Sequence, residues 1–211
     1  LGVIGTLAAG IVTGAFWGMI SVYSIKVGLD TSRTVLLISL TIIGGAIVQW
    51  PIGKFSDYVD RRIVLSASAF IASILALVSF LFSQEKLLLY IIFFFYGGFS
   101  FSLYSLAVAH INDRLRPEQA LDASQTLMQL YAIGAILGPP IAGMLMEQYG
   151  GQYLPLVFTI TLGVLGIYSI YRIYVKKAPV TEEQEPFIQV HRTSPVVMEM
   201  DPRSDYHNDD E

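Results

Sequence analysis

Apolar residues dominate six long stretches that contain no Asp, Glu, Lys or Arg, and the charged residues gather between them. The stretches run from Leu1 to Ile25, Thr34 to Gly53, Ile63 to Gln84, Leu87 to Asn112, Ala123 to Met146 and Gln148 to Tyr171. A helix rises about 1.5 Å per residue, so roughly 20 apolar residues cross a hydrocarbon core of about 30 Å, and every stretch is long enough. The pattern predicts an all-α membrane protein with six transmembrane helices at about 2–25, 34–53, 63–83, 87–110, 122–147 and 154–175. Core helices of a soluble protein would each keep a polar flank, and barrel strands would alternate with period two; neither pattern is present.

Composition agrees: 54% of the 211 residues are hydrophobic and only 14% are charged, against about 25% charged in soluble domains. There is no cysteine, which excludes disulfides and thiolate metal sites. The chain opens at Leu1 in apolar sequence without a basic leader or a small-residue cleavage site, so the first stretch reads as a span rather than a signal peptide. Its beginning reads as a start inside a longer product, or a truncated one.

Beyond residue 177 the character changes. From Lys176 onward nine acids face four bases, with Pro179, Pro186, Pro195 and Pro202 among them, a composition that does not bury a core. Residues 1–177 are therefore expected to be one transmembrane domain, and 178–211 a disordered acidic tail. Without the tail the membrane part is nearly neutral, so the net charge of −4 says nothing of a substrate.

The short connections differ in basic content. Lys54, Arg61, Arg62, Arg114, Arg116, Arg172, Lys176 and Lys177 fall on one side, whereas Lys26, Arg33 and Lys86 fall on the other. The positive-inside rule then puts both termini in the cytoplasm, with the bundle in the cell membrane, the inner membrane in a bacterium.

Chemistry concentrates in few places. The turn Gly53-Lys54-Phe55-Ser56-Asp57-Tyr58-Val59-Asp60-Arg61-Arg62 joins the second and third spans. Gly53 permits a close backbone approach, Asp57 is a carboxylate at a helix end, and Arg61 and Arg62 read as anchors holding the next helix inside. In the fifth span Gly134, Gly138 and Ala142 stand four apart, with Pro139, Pro140 and Gly143 beside them, which reads as a packing seam with a kink. The first span repeats the seam with Gly10, Gly14 and Gly18, and carries Thr13, Trp17 and Ser21 on a neighbouring face. Gln125 and Gln129 sit one turn apart in the fifth span, and amides in hydrocarbon need protein or water for partners. Trp50 reads as an interfacial anchor. His110 is the mid-chain group that titrates near neutrality, and its place beside Asp113 and Arg114 predicts a solvated position. No Asp, Glu, Lys or Arg stands deep in a span, and no metal-ligand spacing, nucleophile elbow or phosphate loop occurs. No catalytic residue, metal or cofactor is assigned, and a nucleic-acid partner does not fit the composition.

The turn resembles the loop signature of the major facilitator superfamily, matching it at Gly53, Asp57, Arg61 and Arg62 and departing from it at Tyr58 and Asp60. The Gly-Pro run around Gly138 and Pro139 is similar to the antiporter signature of the same family. The resemblance implies the second six-helix half of such a transporter, family helices 7 to 12. It implies that Asp57 belongs to a gating loop whose partner is a helix end or a basic residue of the other half. It also implies that Thr13, Trp17, Ser21, Gln125 and Gln129 line a substrate cavity. The expected function is secondary transport of a small solute by alternating access. The expected partners are the lipid bilayer, the first half or a second copy, and an unidentified solute. A non-transporting remnant or assembly module is the alternative.

Overall fold

Each charge-free stretch is a helix, as a chain with no water to satisfy its amides must be. The computed structural model describes residues 1–113, 115 and 117–175. Its helices are α1 (Gly2–Lys26), α2 (Thr31–Ser56), α3 (Arg61–Leu81), α4 (Lys86–Asn112), α5 (Pro117–Tyr149) and α6 (Leu154–Val175), with one 3₁₀ turn at Gly151–Tyr153. All six are long and apolar enough to span a bilayer. The acidic tail and its expected disorder lie outside the described residues.

Where the helices outrun the apolar stretches, the ends explain it. Asp30 accepts a hydrogen bond from the Arg33 amide at 2.9 Å, which starts α2 at Thr31, before its apolar run. Asp60 caps α3 by accepting from the Arg62 amide at 3.0 Å. In α5 the helix begins at Pro117, whose fixed φ suits a first turn, and so extends into polar sequence. Gly28 and Gly150 close two of the turns with φ of +80° and +120°, values that L side chains rarely adopt.

Three pairings build the bundle: α1 along α5, α2 along α4, and α3 along α6. A further contact of α1 with α4 joins the first two pairs. Exchanging α1 with α4, α2 with α5 and α3 with α6 maps this set of pairings onto itself. The pairing pattern is thus that of two three-helix units, α1–α3 and α4–α6. Directions agree. Gly10, Gly14 and Gly18 meet Tyr131, Ala135 and Pro139 in ascending order, so α1 and α5 run parallel. Ser73 donates to the Thr159 carbonyl at 2.8 Å and Ser66 to the Gly166 carbonyl at 3.3 Å, so α3 and α6 run antiparallel.

The two parallel pairs use the same device. A Cβ on Gly10 or Gly14 would strike the backbone of Tyr131 or Ala135, and one on Gly134 or Gly138 would strike the backbone of Leu7 or Ile11. Gly44 of α2 lies against the Phe94 carbonyl and Gly97 of α4 against that of Thr41. Helix backbones therefore touch directly, gaining dispersion and Cα–H···O contacts that side chains would prevent. Gly18 faces the Pro139 ring, where a Cβ would stand 2.9 Å away, whereas Gly143 has only Met19 within reach, at 3.6 Å. At the centre, Phe16, Tyr23, Phe93, Tyr96 and Phe158 are fully buried, with Tyr96 stacked on Phe158 at 5.2 Å.

Candidate functional site

Two regions combine polar chemistry with the spans. The first is the outer face of the α1/α5 pair. Trp17 is 51% exposed, its ring edge-on to Phe16 at 5.3 Å, and Ser21, Gln125 and Gln129 are also exposed. Thr13 differs: it is buried, and its hydroxyl has no hydrogen-bond partner in the structure. A spacing of four residues advances about 40° around a helix, so the stripe from Thr13 to Ser21 winds from the interior to the surface.

These residues do not share one depth. Because Gly10 is level with Tyr131 and Gly18 with Pro139, Gln129 lies below Thr13 and Trp17 lies above it. Gln125 is one turn lower still and Ser21 one turn higher. The polar groups are thus spread over most of the height of the pair. α3 and α6 expose Ile71, Ile74, Leu77, Ile160, Val164 and Ile167, a surface suited to acyl chains, and the upper part of α5 likewise exposes Ile133, Ile136, Leu137, Ile141 and Met144. Two exposed glutamines in a lipid-facing position would each cost several kcal/mol, roughly, for want of partners. Gln125 and Gln129 themselves thus call for water or protein as partners.

The second region is the end of the bundle where α2 turns into α3 and α4 ends. Gly53 is buried, and its carbonyl accepts from the Ser56 hydroxyl at 2.7 Å. Arg61, its side chain 2% exposed, bridges two carboxylates: Asp57 at 3.2 Å and Asp113 at 3.2 Å. Arg62, 3% exposed, holds Asp60 in a forked pair at 2.7 Å and 3.0 Å. Both guanidinium groups thus point into protein and do not anchor the helix at a lipid headgroup. A buried cation leaves water only where carboxylates replace the lost hydration, and here three do so. Asp57, expected to seek its partner outside this chain, has one within it. The role of Asp113 was not legible beforehand, because Asn112-Asp113-Arg114 reads as an ordinary solvated helix end.

His110 is buried, at 5% exposure, where a solvated position was expected. It sits one turn inside Asp113, and its side chain turns inward. Burial pushes the Asp60 carboxyl up, but the hydrogen bonds and charge of Arg62, with the charge of His110, outweigh it and hold Asp60 below its usual range. One turn deeper, Gln49 donates to the Ser105 hydroxyl at 3.0 Å and ties α2 to α4. Trp50 is 65% exposed, and the Lys54 ammonium lies 5.5 Å from its ring centre.

Comparison with known proteins completes the description. Residues 2–200 match the Major Facilitator Superfamily. An uncharacterized MFS-type transporter, YcaD, from Escherichia fergusonii is 29% identical over 154 residues, covering 73% of this chain and 39% of its own. Another from an Enterobacter species is 31% identical over 170 residues, covering 81% of this chain and 43% of its own. A third, from Yersinia enterocolitica, is 26% identical over 193 residues, covering 90% of this chain and 47% of its own. The chain spans less than half the length of these relatives.

Proposed function

This chain belongs to the major facilitator superfamily, and from that premise we propose that it forms the second six-helix half of a secondary transporter that moves a small solute by alternating access. The observation that carries the reading is the exposure of Trp17, Ser21, Gln125 and Gln129 on α1 and α5, among exposed apolar residues of the same helices. That face is the wall of a water-filled path, and a companion half, either a first half or a second copy, supplies the opposite wall. Thr13 stands behind the wall. Both termini are cytoplasmic, so the charged end built on Asp57, Arg61 and Asp113 faces the cytoplasm, in a bacterial inner membrane or its equivalent. The reaction is translocation rather than catalysis.

Because the chain contains no cysteine, single cysteines report without background. Trp17→Cys, Ser21→Cys, Gln125→Cys and Gln129→Cys in the membrane-embedded protein should react with a membrane-impermeant thiol reagent. Ile74→Cys and Val164→Cys should not. Equal protection of all six positions would refute a water-filled path. Reporter fusions after Arg62 and after Gly150 should report opposite sides of the membrane, with the Arg62 fusion inside. Uptake assays with sugars, amino acids, organic anions and drugs, run with the companion half present, would identify the solute.

The alternative reading is a non-transporting remnant or assembly module. It predicts protected cysteines on the α1/α5 face and no uptake under any pairing.

A further inference from the structure

The exposed side of α2 changes character along its length. Leu36, Ile43, Ile47, Trp50 and Lys54 follow one another at spacings of seven, four, three and four, so they fall on one stripe of the helix. All five are exposed, and Tyr58, 72% exposed, continues the line just past the helix end. The stripe is aliphatic as far as Ile47, aromatic at Trp50, cationic at Lys54 and aromatic again at Tyr58. Ile47 and Lys54 are about 10 Å apart along the axis. That distance matches the passage from acyl chain to headgroup, and the order of residue types matches it too.

Lys54 is also distinguished by its company. Its neighbours Arg61 and Arg62 are consumed by Asp57, Asp113 and Asp60. Among the described residues Lys54 has no carboxylate partner; its ammonium lies by the Trp50 ring. A cation over an indole keeps most of its hydration and its capacity to bind an anion. It also stands in the last turn of α2, where that helix's dipole favours positive charge.

We propose that Trp50, Lys54 and Tyr58 form a docking surface for an anionic phospholipid headgroup at the α2 end of the bundle. The lipid phosphate takes an ammonium hydrogen bond from Lys54, the two aromatic rings flank the glycerol region, and the acyl chains lie over Ile47 and Ile43. The occupant is a lipid rather than a protein segment because the stripe is aliphatic from Leu36 to Ile47 and becomes cationic only at its end, at Lys54, which suits acyl chains capped by an anionic headgroup. The surface is independent of the solute path and of which reading of the function holds.

Trp17→Phe leaves Trp50 as the single tryptophan of the chain. In that variant, reconstituted into phosphatidylcholine vesicles, brominated phosphatidylglycerol should quench Trp50 at lower mole fraction than brominated phosphatidylcholine does. The preference should be about fivefold, as expected for one basic residue at an anionic surface. Lys54→Gln should abolish the preference while leaving quenching by both lipids, and Lys54→Arg should retain it. Three results would overturn the proposal: equal quenching by the two lipids, a preference that survives Lys54→Gln, or no quenching by either lipid because protein covers the stripe.

Discussion

Gly14 of α1 lies against the carbonyl oxygen of Ala135 on α5, the carbonyl whose helical donor is removed by Pro139. A proline at position 139 offers no N–H to residue 135, and the Cα–H of Gly14 approaches the oxygen left without one. The proline and the glycine, on different helices, thus solve one problem together. Replacing Gly14 by Val should separate the helices and lower stability by about 1–3 kcal/mol, the usual cost of overpacking. Gly143→Ala, where a Cβ would meet only Met19 at 3.6 Å, should leave the melting temperature in detergent unchanged. Thermal unfolding of both variants followed by size-exclusion chromatography separates them.

Arg61 is the point on which the charged end depends. Arg61→Gln leaves the Asp113 carboxylate, 5% exposed, without its guanidinium, and should cost about 3–5 kcal/mol. Adding Asp113→Asn to that variant should restore a large part of the loss, because the uncompensated charge is then gone. A double-mutant cycle on melting temperature measures the coupling, and additive losses would show that the two residues do not act as a pair.

The Asp60 carboxyl gives a pH signature. Its folded pKa is depressed, so it stabilises the fold at pH values above its unfolded pKa of about 4. That stability is lost as pH falls through the lower folded value. The melting temperature of the native chain should therefore exceed that of Asp60→Asn by a constant margin near pH 6. The margin should shrink below about pH 4. A margin that instead shrank toward alkaline pH would contradict the depressed carboxyl.

Gln49 and Ser105 form a buried link between α2 and α4. Ser105→Ala strands the Gln49 amide and should cost about 1–3 kcal/mol. Gln49→Leu combined with Ser105→Ala removes donor and acceptor together and should recover most of that loss. The comparison is again one of melting temperatures.

The spans were legible because hydrocarbon forces the issue: a charge-free run of such length has no stable state there except a helix. The glycine spacings in α1 and α5 were legible as seams for a similar reason, since only small residues let two backbones meet. Which seam faces which was not, because a spacing of four names a face and no partner. The burial of His110, Arg61 and Arg62 was hidden for the opposite reason. Charged residues at a span's end ordinarily seek water, and only the mutual arrangement of the α2–α3 turn and the end of α4 reveals that they satisfy one another. Thr13 and Trp17 share a spacing yet differ in exposure, which depends on how α5 and α4 flank α1 and not on α1 alone.

The pairing of the helices also sets the order in which partners become available along the chain. As the chain enters the membrane from its N-terminus, α2 finds its backbone partner once α4 has followed it, with a single helix between them. The glycine face of α1 must wait behind three intervening helices for α5. Until then the small residues of that face, where lipid makes few contacts, lack their helix partner. A chain halted before α5 should keep the α2/α4 pair and leave α1 open to capture by insertion machinery or quality control.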